Sequence, residues 1–129
     1  MINLFILLIF EGMERGLIFV RVSKREQDYQ RQIEDLRTIA KAKGVKIVQE
    51  ISEKISGAKE NIDRDGLQEL LSLAKSGAID IVLVQEVSRL GRSTVEVLKV
   101  LEELTQLSVS VYVQNFGIET LKKGKRNPI

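Results

Sequence analysis

Two side chains are missing from this sequence altogether. Its 129 residues contain no cysteine, which excludes disulfides, thiol catalysis and a cysteine zinc site. They contain no histidine either, which removes the usual general base for an activated serine and the commonest metal ligand. Any chemistry must therefore run on hydroxyls, carboxylates, amides, lysines and arginines. Long apolar runs are scarce too. Met1 to Phe10 is almost wholly apolar, but a membrane-spanning helix needs about 20 such residues, and a secretory signal needs a basic start and a small-residue cleavage site. Neither pattern is present, so the chain is read as cytoplasmic, with no membrane partner. Met13-Glu14-Arg15 reads as a natural domain start. Residues 1–16 are set apart as an N-terminal apolar extension, of which Met1 to Gly12 is expected to pack on an edge or at a subunit contact. The net charge of +2 is small and identifies no partner alone. The basic residues are clustered, however, at Arg21, Lys24 and Arg25, at Arg89 and Arg92, and at Lys122, Lys123, Lys125 and Arg126. Local clusters matter more for phosphate binding than the net figure.

What is present fits one globular domain, with 43% hydrophobic and 29% charged residues and enough length to bury a core. Leu17 to Ser23 opens as a β-branched and aromatic run, the pattern of a strand covered on both faces. Helical spacing of Tyr29, Ile33, Leu36 and Ala40 follows, ended by Gly44. A second, less apolar strand spans 45–51 and suits a sheet edge. Residues 52–65 read as a polar loop containing Ser56-Gly57, long enough to point to function. Asp65 to Gln68 resembles a capping box, with Leu67, Leu70, Leu71 and Ala74 as the buried stripe of the next helix and Gly77 closing it. A central apolar strand, 79–85, leads into Ser88-Arg89-Leu90-Gly91-Arg92. Ser93 to Glu96 is a second capping box, with Leu98, Leu101 and Leu104 as the stripe of its helix. A fourth strand spans 108–113, and residues 115–129 carry no periodicity and form a basic tail.

This alternation predicts an α/β fold, a four-stranded mainly parallel sheet of order 2-1-3-4 with helices on both faces. The topological switch point then falls between strands one and three, where open sheets bind ligands. Arg21 and Ser23 from strand one, and Ser88, Arg89 and Arg92 after strand three, are the groups delivered there. A serine hydroxyl ringed by three arginines is a phosphate site. Arginine can stabilise charge on phosphorus oxygens without metal, because its planar fork donates two hydrogen bonds and stays charged. No carboxylate cluster is visible at these strand ends, so neither metal nor cofactor is expected.

Taken together, Arg21-Val22-Ser23, Ser56-Gly57, Asp63-Arg64-Asp65-Gly66-Leu67 and Ser88-Arg89-Leu90-Gly91-Arg92 resemble the catalytic domain of the serine recombinases, the resolvase–invertase family. The resemblance runs from Leu17 to the end of the chain, with four motifs in order and spacing. It implies Ser23 as a nucleophile on double-stranded DNA, forming a 5′-phosphoserine link, and Arg21, Arg89 and Arg92 as phosphate and transition-state ligands. It implies that Gln27, Gln32, Ser56 and Arg64 help assemble the site. Two positions depart from the family: Ser88 stands where an aspartate is usual, and Phe19 where a tyrosine is usual. The resemblance further implies residues 17–114 as the catalytic domain, and a homo-oligomer, dimer or tetramer when complete. It also implies that residues 115–129 stop short of a long oligomerisation helix, so that residues 1–129 bind DNA weakly and do not cut both strands.

Each fragment also has a plainer reading. Ser23 to Glu26 is itself a capping box, Arg89 and Arg92 fit solvated loop charges, and a basic tail is most often a loose end. Convergence at one switch point favours the site. A receiver-type domain would need an aspartate where Val87 and Ser88 stand, and a dinucleotide-binding domain would need Gly-x-Gly-x-x-Gly after strand one. The remaining alternative is a non-catalytic or truncated recombinase domain acting as an interaction or regulatory module.

Overall fold

The computed structural model describes residues 12–22, 26–54, 65–122 and 125–126. In chain order these form β1 (Arg15–Val22), α1 (Glu26–Lys43), β2 (Lys46–Lys54), α2 (Asp65–Lys75) and β3 (Ile81–Val84). A 3₁₀ turn (Val87–Leu90), α3 (Thr94–Gln106), β4 (Ser110–Val113), β5 (Ile118–Glu119), β6 (Leu121–Lys122) and β7 (Lys125–Arg126) follow. The main sheet has the order β2-β1-β3-β4-β5. Its first four strands are parallel neighbours in the expected 2-1-3-4 order.

The fifth strand is a correction to the four-stranded expectation. β5 pairs antiparallel with β4, Tyr112 opposite Glu119 and Val113 opposite Ile118. A tight turn returns the chain: Gly117 has φ of +66°, and its N–H donates to the Val113 carbonyl at 2.8 Å. Two residues are too few to show a period, so the strand is invisible until its partner is known. β6 and β7 pair separately as a two-stranded antiparallel ribbon.

Both faces of the sheet are covered. On one face Ile33, Leu36 and Ala40 of α1 pack on Ile18, Val20, Ile81 and Leu83. On the other, Leu70 and Ala74 of α2 and Val100 and Leu104 of α3 pack on Leu17, Phe19, Ile51, Val82, Val84 and Val111. β1 therefore contributes alternate residues to two cores, which is why its sequence is continuously apolar. Each fully buried side chain of this kind stabilises the fold by about 1.5–3 kcal/mol. The stripe of α3 differs from expectation: Val97 and Val100 are buried, while Leu98 is 59% exposed. Gly44 and Gly77 end α1 and α2 with φ of +71° and +76°, the left-handed conformation such caps require.

Strand lengths create the site. β1 pairs with β2 along its whole length, from Arg15 opposite Lys46 to Val22 opposite Lys54. Its pairing with β3 runs only from Gly16 to Ile18. Beyond that point the flank of β1 opens onto the 3₁₀ turn, and this is the crevice at the switch point. Among the described residues no helix is long and apolar enough to cross a membrane.

Candidate active site

Arg21 follows Leu17 and Phe19 at two-residue intervals, so it continues the face that α2 and α3 cover. Its side chain is only 10% exposed. One terminal nitrogen, Nη2, donates to the carbonyl of Arg89 at 3.1 Å and to Oε1 of Glu53 at 3.3 Å. The other, Nη1, donates to the carbonyl of Gly91 at 3.4 Å. One guanidinium thus ties β1 to β2 and to the turn after β3.

Glu53 is the residue that the sequence reading missed. It stands opposite Arg21 in the β1–β2 register and is 1% exposed. Its second oxygen accepts the Leu67 N–H at 3.2 Å, in the first turn of α2, where unpaired N–H groups and the helix dipole favour an anion. The expected loop from residue 52 hid it, because β2 continues to Lys54. A signal was available: Glu53 lies two residues beyond buried Ile51, on the same face of the strand.

Arg89 lies in the 3₁₀ turn, and its Nη2 pairs with Oε1 of Glu86 at 3.3 Å. The Nε atoms of both Arg21 and Arg89 are buried and find no acceptor among the described residues. Arg92 is exposed just before α3. Its N–H donates to Glu96 Oε1 at 3.0 Å, and the Glu96 N–H donates to Ser93 Oγ at 3.1 Å. The Ser93 cap is therefore present, with the Glu96 carboxylate reaching back one residue beyond the cap to hold the backbone of Arg92. Ser88 is exposed. With Arg92 it borders an open groove of about 440 Å³, whose apolar side is formed by Val87, Val97, Leu98 and Leu101.

Gln32 lies on α1 with its Oε1 buried and without a partner among the described residues. Gln27 lies in the backbone of α1, its side chain outside the description. Ser23, Ser56 and Arg64 fall outside the described residues. Of the predicted site, the structure thus brings Arg21 against the main chain of Arg89 and Gly91, next to the exposed Ser88 and Arg92. Charge elsewhere has different work. At the amino ends of β1 and β3, hydrogen bonds from the Arg15 guanidinium hold the Asp80 carboxyl below its ordinary range. Burial, with Glu119 and Asp80 nearby, pushes the Glu14 carboxyl up. Among the described residues no group of three or more acidic side chains is arranged to hold a metal ion.

The family model of the resolvase N-terminal domain matches residues 17–127. The chain belongs to the resolvase family. A resolvase/recombinase of Pseudomonas putida is 31% identical over 102 residues, covering 79% of this chain and 52% of that protein. The transposon Tn3 resolvase of Escherichia coli is 33% identical over 102 residues, covering 79% and 51%. The resolvase chain thus spans about half the length of the curated relatives it matches. Among solved structures, the C-terminal catalytic domain of ISC1926 TnpA, an IS607-like serine recombinase, has a TM-score of 0.67 at 30% identity and covers 78% of this chain and 70% of that one. The N-terminal catalytic domain of TP901-1 integrase reaches 0.70 at 27% identity, covering 85% and 84%. The resolvase chain therefore has the fold of serine recombinase catalytic domains, and the resemblance read from its four motifs holds.

Proposed function

We propose that this domain supplies the catalytic site with which an oligomeric recombinase cuts and rejoins double-stranded DNA in site-specific recombination, with Ser23 as the nucleophile. The Ser23 hydroxyl oxygen attacks a backbone phosphorus, and the 3′-oxygen leaves as a hydroxyl. The product is a 5′-phosphoserine that conserves the energy of the broken linkage. Attack by a 3′-hydroxyl on that phosphoserine restores a phosphodiester and frees the serine. Arg21, Arg89 and Arg92 neutralise the charge that builds on the phosphorus oxygens, the largest contribution that a metal-free site can make. Gln27, Gln32, Ser56, Arg64 and Ser88 position these groups. No metal or cofactor is needed. The working form is a homo-oligomer, because cutting both strands of a duplex takes more than one nucleophile. Residues 17–114 carry the chemistry.

The observation that carries this reading is the docking of Arg21 against the carbonyls of Arg89 and Gly91. It joins the strand that leads into Ser23 to the segment that carries Arg89 and Arg92, which supports a shared site for the arginines of two distant motifs. The named relatives, among them a transposon resolvase and an integrase, support DNA as the substrate. The test is to incubate the protein with duplex DNA carrying the ends of its element, quench with detergent, and locate any covalent adduct by mass spectrometry. An adduct on residue 23 that Ser23→Ala abolishes is expected. An adduct of unchanged yield in the Ser23→Ala variant would refute the assignment.

A further inference from the structure

We propose that the turn between β4 and β5 is a DNA-contact element, with the Phe116 ring pressing on a base-pair step beside the phosphate held at the arginine crevice. The inference deepens the proposed function and rests on its assignment of DNA as the substrate. Position comes first. Ile18 of β1 stands opposite Leu83, and Leu83 opposite Tyr112 of β4, all in parallel pairing. Three residues further on, Arg21 and Asn115 therefore reach about the same height at the carboxyl edge of the sheet. β4 lies two strands from β1, about 10 Å away at the usual strand spacing. That is about three base pairs of a duplex. Asn115 is also tied to the segment leading into the 3₁₀ turn, its N–H donating to the Gln85 carbonyl at 2.9 Å.

Phe116 is 63% exposed, the one aromatic among the large apolar side chains that the described residues leave in solvent. A single exposed apolar residue is ordinary, but turn tips favour glycine, proline, asparagine, aspartate and serine, and this one is rigid. The Phe116 N–H donates to the Val113 carbonyl at 3.2 Å, and the Gly117 N–H to the carbonyls of Val113 and Gln114 at 2.8 and 3.1 Å. Gly117, with φ of +66°, closes the turn directly behind the ring. A side chain carried on a fixed turn has less freedom to lose on binding. Two amides precede it: Asn115 is exposed, and Gln114 Oε1 is buried without a partner among the described residues. Charge chooses the occupant. Arg21, Arg89 and the exposed Arg92 come from the same carboxyl edge, where Glu53 and Glu86 are paired with Arg21 and Arg89. Glu14, Asp80 and Glu119 crowd one another towards the amino edge. The tip therefore stands at the end of the sheet that draws an anionic partner. A duplex supplies both phosphates for the arginines and stacked bases for an aromatic wedge.

The sequence has no tryptophan, so Phe116→Trp places a single fluorophore at the tip. Titration with duplex DNA carrying the ends of the element should quench its emission saturably, as stacking on bases does, and its affinity should match the wild type. Phe116→Ala should weaken binding of the same duplex by about 5- to 150-fold, the range for losing one base–aromatic contact. The ring carries no charge, so that factor should be the same at every salt concentration, with the melting temperature unchanged. Arg92→Ala should instead lower the slope of log affinity against log salt by about 0.9. Emission that DNA leaves unaltered overturns the proposal, as does wild-type affinity in Phe116→Ala. A blue shift that grows with protein concentration in the absence of DNA assigns the tip to a second copy of the chain and equally overturns it. Wild-type protein that fails to bind the duplex even at low salt overturns the DNA reading itself. The nucleophile is judged by the Ser23 adduct, on which none of these binding measurements depends.

Discussion

Gly66→Ala sets two effects of similar size against each other, and the structure decides between them. On an open helix face alanine is favoured over glycine by about 0.8–1 kcal/mol. Gly66 is the second residue of α2, where that gain is smaller because the first turn is incompletely bonded. Against it stands contact. The added Cβ would lie 2.8 Å from Glu53 Cγ and 2.9 Å from Ile51 Cγ2, neither of them the free end of a flexible side chain. Both residues are buried, so relief requires α2 to lift from the sheet, and overpacking of this kind costs about 1–3 kcal/mol. The expected balance is a loss of about 1 kcal/mol. In urea, with a slope near 2 kcal/mol/M, that lowers the unfolding midpoint by about 0.5 M. Urea titration followed by circular dichroism, with the slope fitted in both proteins, reads the effect directly. A midpoint equal to or above the wild type at an unchanged slope would show that α2 is not seated on Glu53 as described.

Arg89→Ala and Arg92→Ala should each lower the rate of adduct formation by about a hundredfold or more, measured with and without a chelator; chelator-sensitive activity restored by magnesium would refute the metal-free mechanism. Ser93→Ala removes the acceptor for the Glu96 N–H and should cost about 1 kcal/mol in denaturant unfolding. The pH dependence has opposite signs at two carboxyls. Glu14 is pushed above its ordinary value of 4.5, so its ionisation opposes folding as the pH rises above that value. Glu14→Gln should therefore raise stability at neutral pH, with the advantage fading as the pH falls through 4.5. Asp80 is held below 3.8, so its contribution is present above that value and lost as the pH falls further. Melting temperatures of Glu14→Gln and Asp80→Asn across pH 3–7 check both signs.

Periodicity made α1 and α2 legible because each has one apolar stripe and one way to bury it. In α3 the apolar residues Val95, Val97, Leu98, Val100, Leu101 and Leu104 admit two phases. Packing on β3 and β4 selects Val97, Val100 and Leu104, a choice that lies in the sheet and not in the helix. The strand order followed from crossover handedness, whereas β5 depends on a cross-strand partner and a glycine turn. Arg21, Arg89 and Arg92 were recognisable from their motifs. Glu53 was not, because a glutamate near a strand end normally signals solvent, and its burial comes from α2 closing over it.

Arg21 takes its acceptors from residues 32, 68 and 70 positions further along the chain. Contacts of such separation form late, after the intervening segments have been ordered. A chain still being synthesised, or one opened by partial unfolding, carries Arg21 as an ordinary hydrated cation with no fixed direction. Neither the first strand–helix–strand unit alone nor a fragment ending before β3 could aim it. The fixed direction of the Arg21 guanidinium therefore arrives with the completed sheet and departs with it. A proteolytic remnant of the amino-terminal half, nearly balanced in charge, should carry Arg21 with no fixed direction.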